Sequence, residues 1–271
     1  MRFGLDVAQQ RLPWPEIASR VRFADEAGFA GVWGFDHFQP MYGEGPGECF
    51  EGMTTLAAWS GIANRARLGL LVAGLTYRHP SVFAAEAITI DHASGGRLEL
   101  AYGAAWFEKE HRELGIAFPS TGARIDAFEE ALQVVRGLLT TDNFTFEGQH
   151  YSVHDATLLP RPVQSPHPPI WIGAMGERRM LPIAARYADV WHAFGTPESL
   201  TPKSQRLSDF AEAAGRDPGA IRRSSSLSLE GSLDDIASTI DAWRSAGFTE
   251  LICGWPSEGR PKIAEFASRF L

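Results

Sequence analysis

From end to end the chain alternates short apolar runs with longer amphipathic stretches, and it does so eight times. Runs with strand character lie near residues 2–8, 30–36, 67–74, 97–103, 168–173, 188–192, 222–229 and 249–254. Helical periodicity fills 14–28, 52–64, 80–94, 121–140, 177–187, 197–214, 232–246 and 257–270. Strict alternation favours parallel strands joined by right-handed crossovers. Eight is also the number of units that closes a (β/α)8 TIM barrel, for which ~250 residues is usual. Eight units and one insertion nearly use up the 271 residues, so one domain spanning 1–271 is expected. A doubly wound open sheet is the alternative.

The two faces of the strands favour closure. Phe3, Leu5 and Val7 alternate with Gly4, Asp6 and Ala8; Leu98, Leu100 and Tyr102 alternate with Glu99, Ala101 and Gly103; Leu227 and Leu229 alternate with Ser224, Ser226 and Ser228. Successive side chains point to opposite faces. The branched set is therefore expected to pack outward on helices, and the small set to face a barrel interior with room for a ligand near its mouth. Two stretches break the rhythm. Residues 37–51 form a Gly- and Pro-rich loop after the second strand. Residues 142–167 form an insertion before strand five, in which Phe144–Tyr151 reads as a short hairpin ahead of a proline-rich run. Long loops are often lids, and both are expected to enclose a substrate.

Formal charge is −8, which leaves no broad basic face for a nucleic-acid backbone. No run approaches the ~18 apolar residues of a membrane span, and Asp6 interrupts the first apolar residues before a signal-peptide core forms. Cys49 and Cys253 are far apart, with no CxxC spacing. These features lead to the expectation of a cytoplasmic protein with a small-molecule substrate and neither nucleic acid nor membrane as partner.

In a barrel the loops after the strands carry the chemistry. Asp36-His37 follows strand two, where an imidazole with a neighbouring carboxylate suits acid–base work; a loop-capping Asp beside a structural His is the other possibility. Gly173-Ala174-Met175-Gly176-Glu177, ahead of Arg178 and Arg179, runs from strand five into a helix and would offer free N–H groups to an anion, or else form an ordinary tight turn. Trp106 opens beyond strand four, as a wall for a ring or as core. His192 reads as a pocket wall. The run Glu108–Glu113 reads as a solvated helix. Gly43-x-Gly45-x-Gly47 joins no strand to a helix and is interrupted by Pro46, which excludes a dinucleotide loop. No HExxH, GxSxG or HxH pattern occurs, so no metal site is expected.

Several segments taken together resemble the luciferase-like monooxygenase superfamily, in its coenzyme F420-dependent oxidoreductase branch. They are Ala30-Gly31-Val32-Trp33-Gly34-Phe35-Asp36-His37-Phe38, Tyr77-Arg78-His79-Pro80, Asp91-His92-Ala93-Ser94-Gly95-Gly96-Arg97-Leu98-Glu99-Leu100, Gly103-Ala104-Ala105-Trp106-Phe107-Glu108, Phe146-Glu147-Gly148-Gln149-His150-Tyr151, Pro160-Arg161-Pro162-Val163-Gln164, Pro168-Pro169-Ile170-Trp171-Ile172-Gly173 and Ala188-Asp189-Val190-Trp191. The resemblance implies a barrel with a flavin or deazaflavin across its mouth. The ring would lie near Asp36 and His37, against a bulge with a non-prolyl cis peptide around Ala73-Gly74-Leu75. Gly103, Ala105 and Trp106 would border it, and the phosphate would rest on Gly173 to Glu177. His37 oriented by Asp36 would move protons, with Trp106 completing the catalytic set and His111 and Trp191 shaping the substrate side. A homodimer is implied as well. The expected activity is hydride transfer between F420 and a small organic substrate; the alternatives are an FMN-dependent monooxygenase and a non-catalytic flavin carrier. One departure stands out. The family's fourth strand commonly ends Gly-x-Gly-x-Gly-Trp, whereas Ala101, Gly103 and Ala105 occupy those places here. Each added methyl narrows the closest backbone approach.

Overall fold

The computed structural model describes residues 1–271. Its strands are β1 (Arg2–Asp6), β2 (Gly31–Gly34), β3 (Arg67–Leu70) with a short continuation β4 (Ala73–Gly74), β5 (Leu98–Gly103), β6 (Phe144–Glu147), β7 (Ser152–Ala156), β8 (Ile170–Gly173), β9 (Val190–His192), β10 (Arg222–Leu227) and β11 (Glu250–Cys253). Apart from the antiparallel β6–β7 pair, every pairing is parallel. Contact between β3 and β5 closes the ring, so eight staves make a (β/α)8 barrel. The helices are α1 (Trp14–Ala27), α2 (Gly52–Ser60), α3 (Pro80–Ala93), α4 (Glu108–Leu114), α5 (Thr121–Thr140), α6 (Met180–Tyr187), α7 (Pro197–Ala213), α8 (Leu233–Ser245) and α9 (Arg260–Phe270). None is long and apolar enough to cross a membrane.

The two strand faces separate as expected. Phe3, Leu5, Leu98, Leu100 and Tyr102 join the large core between sheet and helices. The small face looks inward, yet it does not leave the barrel hollow. Trp33 and Trp171 fill the middle, ring centroids 4.3 Å apart, in a cluster with Ala101, Val190 and Ile252. Trp33 fits because its neighbours lack side chains. A Cβ on Gly4 would stand 2.6 Å from Trp33 Cδ1, and one on Gly69 would stand 2.7 Å from Cε3.

Below the tryptophans, the strand N-termini are held by charge. Glu99 is buried; its carboxylate accepts from Trp171 Nε1 at 2.5 Å and pairs with Arg67 and with Arg222 (3.4 Å). Arg222 also reaches Glu250 at 2.6 Å. Burial pushes the Glu250 carboxyl up, against the pull of Arg2 and Arg222. The base of the barrel is thus plugged, and the cavity of its interior opens at the C-terminal mouth.

Two expectations need correction. The hairpin is longer than expected, spanning β6 and β7 around a loop that Glu130 ties down by accepting the backbone N–H groups of Gln149, His150 and Tyr151. More important, the 142–167 insertion contributes nothing to the mouth. It joins a helix to the next strand, a connection that belongs to the barrel's base. There Arg161 bonds the Leu138 carbonyl, and Gln164 bonds Asp91 and the Leu98 carbonyl.

The third stave carries the feature that shapes the mouth. Gly69 pairs with Glu99 and Ala73 with Tyr102, so four steps on one strand match three on the other. The extra residue is a bulge. The cis peptide lies within it at Leu71–Val72, not around Ala73-Gly74-Leu75, where regular pairing has already resumed.

Replacing Gly69 by Ala should overpack the Trp33 site and lower unfolding stability by about 1–3 kcal/mol. Chemical denaturation measures this, and adding Trp33→Leu to Gly69→Ala should recover part of the loss.

Candidate active site

A cavity of about 560 Å³ opens at the C-terminal ends of the strands, within the usual size range of small-molecule sites. Asp36, His37, Gly74, Gly103, Ala105, Trp106, Gly173, Ala174 and Met175 all line it. Leu71 and Val72 from the bulge, Tyr77, Arg124, His192 and Phe194 complete much of the wall. From loop 37–51, Met41 and Tyr42 contribute.

The organising group is Glu110, in the run expected to be solvated. α4 is only seven residues long and is stopped by Gly115 in the left-handed conformation, φ 70°. Lys109, Arg112 and Glu113 face water, whereas Glu110 and His111 are both 0% exposed. Glu110 Oε1 accepts from Tyr77 Oη at 2.5 Å and lies 3.1 Å from His37 Nδ1. Its Oε2 accepts the backbone N–H of Phe38 at 2.5 Å and of Gln39 at 2.7 Å. Burial pushes this carboxyl up, but the bonds from His37, Tyr77 and Phe38 outweigh it and hold the pKa below the usual range. An ionised Glu110 places the proton of His37 on Nδ1 and leaves Nε2 without a protein partner. Burial and Glu110 push the Tyr77 hydroxyl far up, so it remains a donor.

Asp36 does not orient His37. Adjacent residues on extended chain point apart, and the Asp36 carboxylate turns instead to Arg78, at 2.6 and 3.1 Å, and to the backbone N–H of Gly74 at 2.8 Å. Arg78 also bonds Glu51 at 2.7 Å. Asp36 thereby pins the bulged third stave to the second, and Glu110 is the residue that orients the imidazole.

Five expected residues lie off the cavity. His111 sits behind Tyr77, stacked at 4.8 Å, with Nδ1 bonded to the Phe107 carbonyl and Nε2 to Thr76 Oγ1. Trp191 faces the outer core, since its neighbours Val190 and His192 point inward, and its Nε1 bonds the Ala174 carbonyl at 2.8 Å. Ala73 is buried in the core between sheet and helices. Glu177 turns away to Lys203 (2.5 Å) and Arg206, which hold its pKa down, and neither it nor Gly176 is in the wall. Nonetheless, the backbone N–H groups of Met175, Gly176, Glu177 and Arg178 have no protein acceptor just ahead of α6. Trp106 is 65% exposed at the rim, its ring edge-on to His37 at 5.7 Å.

A family model for luciferase-like monooxygenases matches residues 1–230. The chain is 29% identical over 236 residues to an F420-dependent glucose-6-phosphate dehydrogenase of Kineococcus radiotolerans, covering 84% of this chain and 68% of that protein. It is 32% identical over 143 residues to an FMNH2-dependent dimethylsulfone monooxygenase of Pseudomonas putida, covering 53% and 39%. An F420-dependent secondary alcohol dehydrogenase solved with an F420–acetone adduct superposes with a TM-score of 0.86 at 18% identity, over 98% and 97% of the two chains. The last likeness concerns fold alone. The chain belongs to the luciferase-like monooxygenase family and is an enzyme of that family.

Glu110→Gln should cost about 2–3 kcal/mol at neutral pH, because charge-assisted bonds are lost around a buried group. The folded pKa of Glu110 is depressed, so its contribution is present above the unfolded carboxyl value of about 4.3 and is lost as pH falls through the folded value. Unfolding curves of wild type and variant should therefore converge in acid and separate as pH rises toward neutrality.

Proposed function

We propose that this enzyme transfers hydride between coenzyme F420 and an uncharged small organic substrate. The supporting observation is the dyad of His37 and Glu110 at the edge of a cavity with an apolar shelf and an anion cradle. Leu71 and Val72 form the shelf. Bare backbone flanks it at Gly103 and Gly173, where a Cβ would come within 2.6 and 3.3 Å of the Val72 side chain. These features fit a planar ring with a phosphate-bearing arm. The N–H groups of residues 175–178, ahead of a helix, and the unpaired Nη2 of Arg124 would hold the arm. Ala105 and Trp106 would border the ring. When bound, a reduced deazaflavin supplies hydride from its C5 carbon, and the protein supplies orientation and proton control. His37, with Nδ1 committed to Glu110, gives or takes a proton at Nε2. Glu110 keeps the imidazole in one tautomer, and Tyr77 keeps Glu110 ionised.

Charge in the wall bears on the substrate. Arg124 is its one Lys or Arg, and its Nε and Nη1 already bond the Ala104 and Pro119 carbonyls. The arm's phosphate takes what remains, so nothing is left to recognise a second anion. Exposed Tyr42, Trp106, Met175 and Phe194 make the rim apolar.

A second reading, FMN-dependent monooxygenation, is favoured by the likeness to the FMNH2-dependent relative. Parallel fluorescence titrations with F420 and FMN separate the two. F420 binding with oxygen-independent turnover supports the proposal, oxygen consumption with supplied FMNH2 supports the second reading, and binding of neither ring sinks both. His37→Ala should lower turnover by about 10²–10⁴-fold while leaving cofactor affinity within about threefold, since the shelf and cradle are untouched. Turnover unaffected by that substitution would remove His37 from the mechanism. Glucose 6-phosphate should neither turn over nor compete.

A further inference from the structure

The cavity wall contains one fully buried side-chain polar atom that the protein leaves unpaired. His192 closes β9 and points into the barrel on the same face as Val190. Its ring is tilted over Trp171 at 6.4 Å and edge-on to Phe194 at 5.0 Å. Nδ1 lies 3.0 Å from Ser224 Oγ on β10. Nε2 is buried and has no hydrogen-bond partner, although the residue lines the cavity and is 1% exposed. Burial pushes the imidazole down to about 4, so the ring is neutral at physiological pH.

Buried polar atoms are rarely left unpaired, because desolvation without a partner is costly. Most unpaired nitrogens in this barrel have a structural setting: Trp33 Nε1, for example, is enclosed among glycine backbones where no ligand reaches. His192 differs in being both unpaired and part of the cavity wall. Ser224 Oγ has no bond other than the one to His192, so its hydroxyl is free to donate to Nδ1 and leave the imidazole proton on Nε2. That tautomer offers a neutral donor.

Resting on the ring-binding function proposed above, we infer that His192 Nε2–H is the donor by which the barrel floor recognises the carbonyl–amide edge of a flavin-type ring, with Ser224 setting its tautomer. F420 and FMN share this edge, so the contact serves both rings alike and does not choose between them. A neutral donor also suits an edge that gains negative charge on reduction, as hydrogen bonds to an anion are stronger than those to a neutral acceptor.

Binding and tautomer state test the assignment without recourse to turnover. His192→Phe, which keeps a planar ring and removes the nitrogens, should weaken both F420 and FMN about tenfold in fluorescence titrations, the worth of one hydrogen bond. Its denaturation midpoint should change little, since removal of the unpaired Nε2 is offset by the loss of the only partner of Ser224 Oγ. His192→Gln, which retains an amide donor, should stay within about threefold of wild type. In wild-type protein with ¹⁵N-labelled histidine, the His192 spectrum should report the Nε2–H tautomer, and the Nε2 resonance should move when either ring is added. Undiminished affinity in a folded His192→Phe protein, or an Nε2 resonance that does not respond to a bound ring, would overturn the assignment while leaving the proposed function standing. Wild type that binds neither ring would overturn both.

Discussion

One buried carboxylate holds the barrel closed at its base. Glu99 on β5 meets Arg67 from β3, Trp171 from β8, Arg222 from β10 and, at 3.8 Å, Arg2 from β1. Five of eight staves converge on it, and Glu250 brings in a sixth through Arg222. Such a network is weak evidence of net stability, because desolvating the ions offsets much of their attraction. Its consequence is geometric. An ion cluster with several fixed donors tolerates few registers, so it constrains how the strands are staggered. Once the base is filled, any usable space must lie at the other end.

The interior then rises in layers whose polarity follows from this start. Above the ions, Trp33 and Trp171 occupy the room that glycines concede, and they separate the charged base from the mouth. Next come Val72, Ser224 and His192, mostly apolar, with a single unpaired nitrogen. At the rim, Glu110 collects two side-chain and two backbone donors. Glu99 and Glu110 solve the same problem of a buried carboxylate with opposite means. Guanidinium charge surrounds the first, whereas neutral donors and an imidazole surround the second. Only the second leaves a titratable nitrogen facing a ligand space.

The barrel was legible in the sequence because its signals repeat. Eight alternations and a two-residue face pattern are each written many times over, and an error at one strand does not alter the sum. The site was legible only where chain order coincides with space. His37, Trp106 and Gly173 stand at strand ends, and topology alone carries them to the mouth. Glu110 was not, since a seven-residue helix is too short to show a periodic stripe, and Lys109, Arg112 and Glu113 around it advertise solvent. Its partner lies 73 residues away, whereas Asp36 lies next door; adjacency in sequence suggested the wrong carboxylate. The insertion misled for a related reason. Loop length suggests a lid, but the face on which a loop emerges depends on whether it follows a strand or a helix, and 142–167 follows a helix.

The departure noted in the fourth strand has separate consequences at its three positions. Ala101 lies deep in the barrel, and its methyl packs in the tryptophan cluster. Gly103 stays glycine because Val72 occupies the space of a side chain. Ala105 adopts φ 62°, a conformation natural to glycine that costs other residues about 1–2 kcal/mol. The left-handed turn at 105 immediately precedes Trp106, which stands clear of the core at the rim, edge-on to His37. The backbone path therefore survives replacement of the glycine, and what changes is the surface: a methyl now lines the cavity. A strained residue of this kind, at the mouth of a ligand-sized cavity, is where a fold trades stability for the placement of a functional wall.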